Sequence, residues 1–455
     1  MKGPPMSVNP GAAVDALHAS ATRKVMFRLL PIMCAAYFMA YVDRTNVALA
    51  KTALQADVGI SVTAFGLGAG IFFISYAFLE VPSNLIMHRV GPRRWIARIA
   101  LTWGALSAAM MFVQGDLSFY LLRFLLGIAE AGLYPALMYM VTMWFSQKNR
   151  ATAVGFIYLA PTIALVVGGP IGGALMELDG LGGLHGWQWM FLVEGIVTML
   201  VGVVVFFRLP EVPADAKWLT AEEAESLSAA ASAGRTDHET RIRGNVKKAF
   251  GRPFIVIVAL IYLFNQITNV GIVFNIPSIV EDLDVRGSFL IGLVSGSAGI
   301  GATVGVLLVP YVHRRFRNET QLIGILAAAT LASSIAFVLV SDPVGKVVLI
   351  AVSMVFVFGT LPLFWSVAMA RMSGLMAAAG LAFINTVGLI GGFIGPYAFG
   401  LVENVTGDPG SGFLVVIVSS VIGVALVPLL GRAVRNEDRA TTSTPAPETS
   451  SARHP

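Results

Sequence analysis

The chain has 455 residues, of which 56% are hydrophobic and only 13% are charged, and its formal net charge is +5. Soluble domains carry roughly a quarter of their residues as charged side chains, so this composition excludes a large soluble protein. The charge balance does not indicate nucleic-acid binding, because the bases collect in loops between apolar runs. The single cysteine, Cys34, excludes an intrachain disulfide bond.

Twelve apolar segments are each long enough to cross a bilayer, for which a helix needs about 20 residues. Short polar loops separate them, except for a longer connection between the sixth and the seventh. In chain order the segments are 25–50, 65–87, 95–114, 118–144, 151–176, 188–208, 253–276, 289–312, 320–340, 346–371, 376–401 and 412–432. We therefore predict an all-α membrane protein with twelve transmembrane helices.

The segments divide the chain into five regions. Both ends are predicted to be disordered tails, since they are rich in Pro, Ala, Ser or Thr. In the long connection, Thr220-Ala-Glu-Glu223 has the pattern of a capping box and predicts a short amphipathic helix. The predicted regions are a tail at 1–24, a six-helix bundle at 25–208, a linker at 209–252, a second six-helix bundle at 253–432 and a tail at 433–455.

The charges of the loops predict how the chain is oriented in the membrane. One set of loops is basic, and the alternate set is mainly acidic, with only Lys51, Arg286 and Lys346 as bases. Because basic loops stay on the cytoplasmic side, both tails and the linker are predicted to be cytoplasmic. We expect a multi-pass protein of the bacterial inner (plasma) membrane. The bases of the first set are Arg89, Arg93, Arg94, Lys148, Arg150, Lys247, Lys248, Arg252, His313, Arg314, Arg315, Arg317, Arg432 and Arg435.

The two halves of the chain carry similar motifs in corresponding segments. Val81-Pro82 ends the second segment before a basic loop, and Val309-Pro310 ends the eighth in the same way. Gly168-Gly-Pro170-Ile-Gly-Gly173 in the fifth segment matches Gly391-Gly-Phe-Ile-Gly395-Pro396 in the eleventh. Repeated, pseudo-symmetric six-helix bundles are typical of secondary transporters, which bind substrate near the midplane. The glycines also have a purely structural explanation, since small residues allow close helix packing.

These motifs resemble the major facilitator superfamily over roughly residues 25–432. The nearest branch is the anion:cation symporter family, which includes bacterial tartrate, phthalate, hydroxyphenylacetate and galactonate permeases. The resemblance implies the major facilitator fold and proton-coupled transport. The motifs that carry it are Tyr41-Val-Asp43-Arg44-Thr-Asn46, Val81-Pro82-Ser-Asn84-Leu-Ile-Met-His88-Arg89-Val-Gly91-Pro-Arg93-Arg94, Arg123-Phe-Leu-Leu-Gly-Ile-Ala-Glu130-Ala-Gly, Trp218-Leu-Thr-Ala-Glu-Glu223, Asn385-Thr-Val-Gly388 and Gly391-Gly-Phe-Ile-Gly-Pro396.

Besides Arg28, which lies at the membrane interface, four charged residues lie inside the first and fourth segments: Asp43, Arg44, Arg123 and Glu130. At about 1.5 Å per residue, Arg44 and Arg123 are both roughly 8 Å from the same edge of the hydrocarbon core. Arg123 and Glu130 share a helix face but are about 10 Å apart along the axis, so each needs a partner elsewhere. Asp43 and Arg44 point about 100° apart, which allows one to face a cavity and the other a neighbouring helix.

Charges inside a membrane are costly and usually functional. A guanidinium binds a carboxylate with two hydrogen bonds, so Arg44 and Arg123 are predicted to bind an anionic substrate. Burial disfavours a carboxylate, so Asp43 and Glu130 are predicted to carry protons. The alternative is that these residues form structural ion pairs between helices. For Glu194 in the sixth segment we expect a structural partner, a base on a neighbouring helix.

Further side chains complete the predicted site. Tyr41 and Trp365 are expected to line an aromatic pocket, and Tyr76 is a polar residue at depth; packing or interhelical hydrogen bonding are the alternatives. The resemblance implies that Asn385 contacts substrate. It also implies that the loop with His88, Arg89, Arg93 and Arg94 latches the inward gate, although a solvated loop that sets topology is the simpler explanation.

The sequence contains no GxxxxGK[ST] motif and no Cys/His cluster with metal spacing, so we expect no cofactor, no metal and no enzyme activity. We predict a monomeric symporter that imports a small organic anion with protons. Sugar-acid members of the branch tend to have a glutamine in helix 5, where this chain reads Leu159-Ala-Pro161-Thr162. This favours tartrate or an aromatic carboxylate such as phthalate, hydroxybenzoate or hydroxyphenylacetate. Export of organic acids or drugs by proton antiport, and a non-transporting membrane sensor, are the alternatives.

Overall fold

The computed structural model describes residues 10–232, 252–316, 318–372 and 374–442. All regular structure within these residues is helical. The first half contains α1 (Pro10–Arg28), α2 (Leu30–Leu49), α3 (Lys51–Val58), α4 (Val62–Val90), α5 (Pro92–Ala109), α6 (Asp116–Glu130), α7 (Leu133–Trp144), α8 (Gln147–Met176) and α9 (Gly186–Arg208). The linker helix is α10 (Ala221–Ser232). The second half contains α11 (Pro253–Asp282), α12 (Ser288–Phe316), α13 (Glu319–Leu339), α14 (Pro343–Ala370), α15 (Gly374–Thr406) and α16 (Phe413–Thr442).

Twelve helical stretches among these residues are long and apolar enough to cross a membrane, which confirms the predicted number. The first span combines α1 with α2, and the fourth combines α6 with α7. Contacts of α1 with α10 and of Arg252 with Glu437 on α16 place both described ends and the linker on one side. We call that side the terminal face and the other, where α3 lies, the opposite face.

Both tails are predicted to be disordered, but the parts of them that the structure describes are helical. Residues 10–24 belong to α1, because Ala21 is completely buried and Lys24 pairs with Glu223 of α10 at 2.7 Å. At the other end α16 continues to Thr442, with Asp438 bonded to Arg371 at 3.0 Å. Residues 1–9, 443–455 and the linker segment 233–251 lie outside the described residues.

The linker helix begins as its capping box predicts. The Glu223 amide donates to Thr220 Oγ1 at 3.2 Å, and the Thr220 amide donates to Glu223 Oε2 at 3.0 Å. Each side chain therefore satisfies an amide that the first helical turn leaves without a partner. The result is that α10 starts at a fixed residue and presents Glu223 to Lys24.

The fourth span, which the sequence indicates as continuous, is broken inside the membrane. α6 ends at Glu130, and Gly132 has a φ of +91°, which disfavours any residue with a Cβ. The Ala131 carbonyl freed by the break accepts a hydrogen bond from Ser83 Oγ at 2.6 Å, and Trp95 Nε1 donates to the same hydroxyl at 2.9 Å. Interrupted backbone survives at this depth because protein groups satisfy it.

The two halves contact each other mainly toward the opposite face. A Cβ on Gly292 of α12 would lie 2.0 Å from the Gly169 carbonyl of α8. A Cβ on Gly66 of α4 would similarly lie 2.6 Å from the Pro396 carbonyl of α15. At these positions backbone packs directly on backbone, so glycine is required for the approach. In the eleventh segment, Gly391 and Gly395 pack in the same way against the Leu263 and Ile267 carbonyls of α11, so glycines of the fifth and eleventh segments have the packing function considered above.

A first prediction concerns the pH dependence of the linker helix. The hydrogen bond from Lys24, with the Thr220 amide adding to it, lowers the pKa of Glu223 below its ordinary value of 4.5. A carboxyl with a lowered pKa stabilises the folded state above its ordinary pKa, and that contribution is lost as the pH falls through the lowered value. Glu223→Gln should therefore accelerate hydrogen exchange of α10 at neutral pH, by up to about fivefold for a pair contributing 0.2–1 kcal/mol.

Exchange of 221–232, followed by mass spectrometry and corrected for intrinsic rates, should show this difference shrinking below the ordinary carboxyl value of 4.5. Glu222→Gln is the matched control, because that neighbouring carboxylate is exposed. Equal effects of the two substitutions would contradict the explanation.

Candidate functional site

The charged residues of the first and fourth spans meet across the helix interface. Arg44 Nη2 lies 2.7 Å from Glu130 Oε1, in an ion pair between α2 and the end of α6. The Glu130 side chain is 1% exposed, whereas that of Arg44 is 17% exposed. The pair thus joins a fully buried carboxylate to an arginine whose side chain is partly exposed. Glu130 is the last residue before the broken backbone of the fourth span.

Asp43 points away from this pair, as the 100° between neighbouring helix positions predicts. It is 3% exposed and accepts a hydrogen bond of 2.5 Å from Ser107 Oγ on α5. Asp43 therefore lies against α5, while Arg44 faces Glu130 at the end of α6. The two adjacent charges occupy different environments.

Arg123 is completely buried. Its Nε and Nη2 donate to the carbonyls of Gly68 and Ala69 on α4, each at 3.4 Å, and Nη1 has no hydrogen-bond partner among the described residues. The guanidinium carbon lies 4.8 Å from the centre of the Phe72 ring, and that of Arg44 lies 5.6 Å from the same ring. The two arginines thus share one aromatic ring, and of the two only the Arg44 side chain is partly exposed.

Tyrosines lie around the Arg44 guanidinium. Arg44 lies 4.6 Å over the Tyr41 ring, and Tyr37 packs on Tyr41 and on Tyr134 with ring centres 5.4 and 5.6 Å apart. The hydroxyl of Tyr134 lies 2.7 Å from that of Tyr158 on α8. Tyr76 is buried, with its ring 6.0 Å from Phe72. The first half therefore offers a cation within a wall of phenol rings.

A second aromatic group lies in the other half and contains Trp365. Its ring packs 5.3 Å from Tyr262 and 5.2 Å from Phe364, and Tyr262 stacks on Phe364 at 5.0 Å. The sequence analysis did not single out Tyr262. The signal available for it was a phenol in the middle of an apolar run, which is too common in membrane helices to identify a site.

Asn385 of α15 contacts the other half. Its amide nitrogen donates to both carboxylate oxygens of Glu80 on α4, at 3.0 and 3.2 Å. In this conformation the Asn385 amide is therefore occupied by a protein carboxylate. The bond lies in the half of the bundle nearer the terminal face.

Among the described residues, the contacts found for the predicted gate residues are with their own half and with the linker. His88 packs edge-on against Tyr139, with ring centres 4.6 Å apart. Arg93 lies 3.8 Å from Glu211 at the start of the linker. Neither Arg89 nor Arg94 has a carboxylate oxygen within 4.0 Å among the described residues. The gating prediction for these four residues stays a prediction.

Sequence reasoning missed a charged contact between the halves. The sequence places Lys51 among the loop bases, but it is 1% exposed at the start of α3. Its ammonium lies 2.5 Å from Glu403 Oε2 on α15 and 2.9 Å from Asn275 Oδ1 on α11. The pair therefore ties the first half to two helices of the second at the opposite face.

The expectation for Glu194 was wrong in the identity of its partner. Glu194 is buried, and its carboxylate accepts from the side-chain amide of Asn46 on α2 rather than from a base. Its Oε1 has no hydrogen-bond partner among the described residues. An amide can serve here because it supplies a hydrogen-bond donor without adding a second buried charge.

The chain resembles membrane transporters along most of its length. The sequence model of the Major Facilitator Superfamily matches residues 33–396. The "Putative tartrate transporter" of Agrobacterium vitis is 38% identical over 425 residues, which are 93% of this chain and 94% of that protein. The "Quinolone resistance transporter" of Acinetobacter baumannii is 34% identical over 404 residues, which are 89% of this chain and 93% of that protein.

The same fold is present in a crystal structure of a bacterial homologue of the human lysosomal transporter Spinster, in an inward-facing and unoccupied conformation. The TM-score is 0.69 at 18% identity, over 93% of this chain and 97% of that one. At this identity the similarity shows the fold alone. The predicted fold class of two six-helix bundles is confirmed.

A second prediction tests the Lys51–Glu403 pair. Lys51→Met leaves the Glu403 carboxylate buried without its cation, which should lower the free energy of unfolding by about 3–5 kcal/mol. Lys51→Met/Glu403→Leu removes both charges and should restore most of that loss. Unfolding in detergent of the parent, Lys51→Met, Glu403→Leu and the double variant completes a double-mutant cycle.

The matched control is Arg286→Met, which breaks a pair with Asp284 whose side chains are 85% and 86% exposed. That change should cost less than about 1 kcal/mol. A Lys51 single variant as stable as the Arg286 control would show that the buried pair contributes nothing.

Proposed function

Since the chain belongs to the Major Facilitator Superfamily and is a transporter rather than an enzyme, we propose that it is a symporter that imports a small organic carboxylate with protons. The Arg44–Glu130 ion pair carries this proposal. It places a partly exposed arginine side chain beside a carboxylate whose side chain is 1% exposed. The name of the Agrobacterium vitis relative, which mentions tartrate, supports a carboxylate as substrate.

The coupling follows from charge balance at this pair. When a substrate carboxylate binds Arg44 through two hydrogen bonds, it takes the place of Glu130 as the counter-charge. A buried carboxylate that loses its cation is costly, and protonation removes that cost. Binding of one anion therefore draws one proton onto Glu130. Asp43, buried against Ser107, is the second proposed proton carrier, and Arg123, with its free Nη1, is the second proposed anion contact.

The conformation supports alternating access between halves 25–208 and 253–432. The halves are closed at the opposite face by the glycine contacts and by Lys51 with Glu403. With the basic loops in the cytoplasm, as the positive-inside rule requires, the opposite face is periplasmic and the described state is closed to the outside. Opening to the periplasm would break the Lys51 contacts, whereas closing toward the cytoplasm would rearrange Glu80–Asn385.

Export is the second candidate function. The Acinetobacter baumannii relative is named for quinolone resistance, and the same ion pair would serve an antiporter in which proton and solute compete. The direction of accumulation under a proton gradient separates the two functions.

The third prediction tests import and coupling together. Proteoliposomes with an imposed inward proton gradient should accumulate labelled substrate above its outside concentration. Glu130→Gln cannot gain or lose a proton, so it should abolish accumulation but leave exchange of substrate across the membrane measurable. Asp116→Asn, an exposed carboxylate at the start of the same helix α6, is the control and should behave as the parent.

Extrusion driven by the gradient would favour the antiporter. If Glu130→Gln and Asp43→Asn both still concentrate substrate, the coupling lies elsewhere.

The fourth prediction tests the guanidinium. Arg44→Lys keeps the charge but loses the planar fork, so substrate binding should weaken by roughly 10- to 100-fold, the value of about one charged hydrogen bond. Titration calorimetry or ligand-dependent thermal stabilisation measures this, with Arg286→Lys as an exposed control. Parental affinity in both Arg44→Lys and Arg123→Lys would assign the two arginines a structural function.

The fifth prediction concerns the substrate class. Thr162 Oγ1 donates to the Leu159 carbonyl and the Tyr158 hydroxyl pairs with Tyr134, so α8 offers few free groups to a polyhydroxy acid. Unmatched hydroxyls would each cost about 1–3 kcal/mol. Tartrate, phthalate, hydroxybenzoate or hydroxyphenylacetate should therefore compete better than galactonate or glucarate against a labelled substrate. Stronger competition by the sugar acids would refute this argument.

A further inference from the structure

The terminal face contains a cavity of about 910 Å³ that belongs to the first half alone. It lies between α1, the beginning of α2 and the beginning of α8, and it is separate from the residues around Arg44. Sites for small organic molecules occupy roughly 300–1,000 Å³, so this cavity can hold an organic ligand rather than only water. The cavity is not part of the Arg44–Glu130 site, and it is not part of the contacts between the halves.

One end of the cavity is basic and polar. Arg23 and Lys148 line it, and neither has a carboxylate oxygen within 4.0 Å among the described residues. Thr22 also lines it, and its Oγ1 is buried with no hydrogen-bond partner among those residues. Asp15 is the one acid in the lining, while His18 is bonded to Ser226 at 3.2 Å. The polar end thus has two unneutralised cations and a free hydroxyl for one anion.

The other end of the cavity is apolar. Phe27, Pro31 and Cys34 line it from the first span, and Phe156 lines it from α8. Phe27 is 71% exposed and Phe156 is 49% exposed, so part of this wall is uncovered. From Arg23 to Cys34 the helical rise is about 16 Å, which matches a large part of an acyl chain in one leaflet. Charge and apolar surface therefore follow each other along the direction of the membrane normal.

We propose that this cavity binds one anionic phospholipid from the surrounding leaflet. Its phosphate lies between Arg23 and Lys148, with Thr22 Oγ1 as a further donor. One acyl chain lies along Phe27, Pro31 and Phe156. A basic pocket between membrane helices at the interface is suited to an anionic headgroup, and each nearby base contributes about tenfold or less in affinity.

The apolar wall selects a phospholipid over a free anion. Inorganic phosphate or a small carboxylate would satisfy the cations but would leave Phe27 and Phe156 uncovered. A zwitterionic lipid would cover the rings but would bring its own cation near Arg23 and Lys148. The anionic lipid satisfies both ends of the cavity, and this inference does not depend on the transported substrate.

Native mass spectrometry of the full-length protein tests the binding, with phosphatidylglycerol and phosphatidylcholine of identical chains as probes. We expect phosphatidylglycerol to be retained more tightly. Arg23→Gln/Lys148→Gln should weaken its binding by roughly 30-fold, from two bases near the surface. Arg314→Gln/Arg315→Gln, which removes two exposed bases at the end of α12, is the matched control and should change it little.

Chemical labelling of Cys34 tests whether the lipid binds in this cavity. Cys34 is the only cysteine in the chain and lines the cavity, so maleimide labelling reads this site without further substitutions. Phosphatidylglycerol in a phosphatidylcholine nanodisc should slow the labelling of Cys34 in the parent and in the control, but not in Arg23→Gln/Lys148→Gln. Size-exclusion elution and helical circular dichroism verify that each variant is folded.

Three results would overturn the proposal: equal retention of the two lipids, unchanged phosphatidylglycerol binding in Arg23→Gln/Lys148→Gln, or no protection of Cys34. Full protection of Cys34 by inorganic phosphate would assign the cavity to free anions and would also overturn it.

Discussion

A charge inside a membrane protein must be matched by another group, because the hydrocarbon offers it no solvent. Three helix contacts described above follow from this constraint. Arg44 is matched by Glu130, Lys51 by Glu403 and Glu194 by the amide of Asn46. Each match joins helices that are distant in sequence, so the charges that are costly to bury also determine which helices lie side by side.

The ion pairs Arg44–Glu130 and Lys51–Glu403 differ in exposure and in the helices that they join. Arg44–Glu130 lies within the first half, and the Arg44 side chain is partly exposed, which is the basis for proposing that a ligand competes for it. Lys51–Glu403 joins the two halves and is buried at both ends, with Asn275 as a further partner. A movement of the halves is needed to separate it. The first pair is therefore suited to respond to a bound anion, and the second to a change of conformation.

The sequence predicted the features that depend on local pattern. Apolar run length gave the twelve spans, and Thr220 with Glu223 gave the start of the linker helix. Lys51 could not be recognised, because the residues after Ala50 have the composition of a loop and its partner lies 352 positions away. The break at Gly132 was also missed. A glycine in an apolar segment predicts close packing as often as an interruption, and the Ser83 hydroxyl that stabilises the break lies on another helix.

Part of the contact between the halves at the opposite face is made by peptide backbone. Where Gly169 meets Gly292 and Gly66 meets Pro396, backbone packs on backbone, so at these two places the halves could separate without a rotamer having to change. An added methyl group at Gly292 or Gly66 would collide with the facing carbonyl in this conformation. In the proposed alternating-access cycle, such a substitution would therefore favour states in which these contacts are apart, while leaving Arg44, Glu130, Lys51 and Glu403 unchanged.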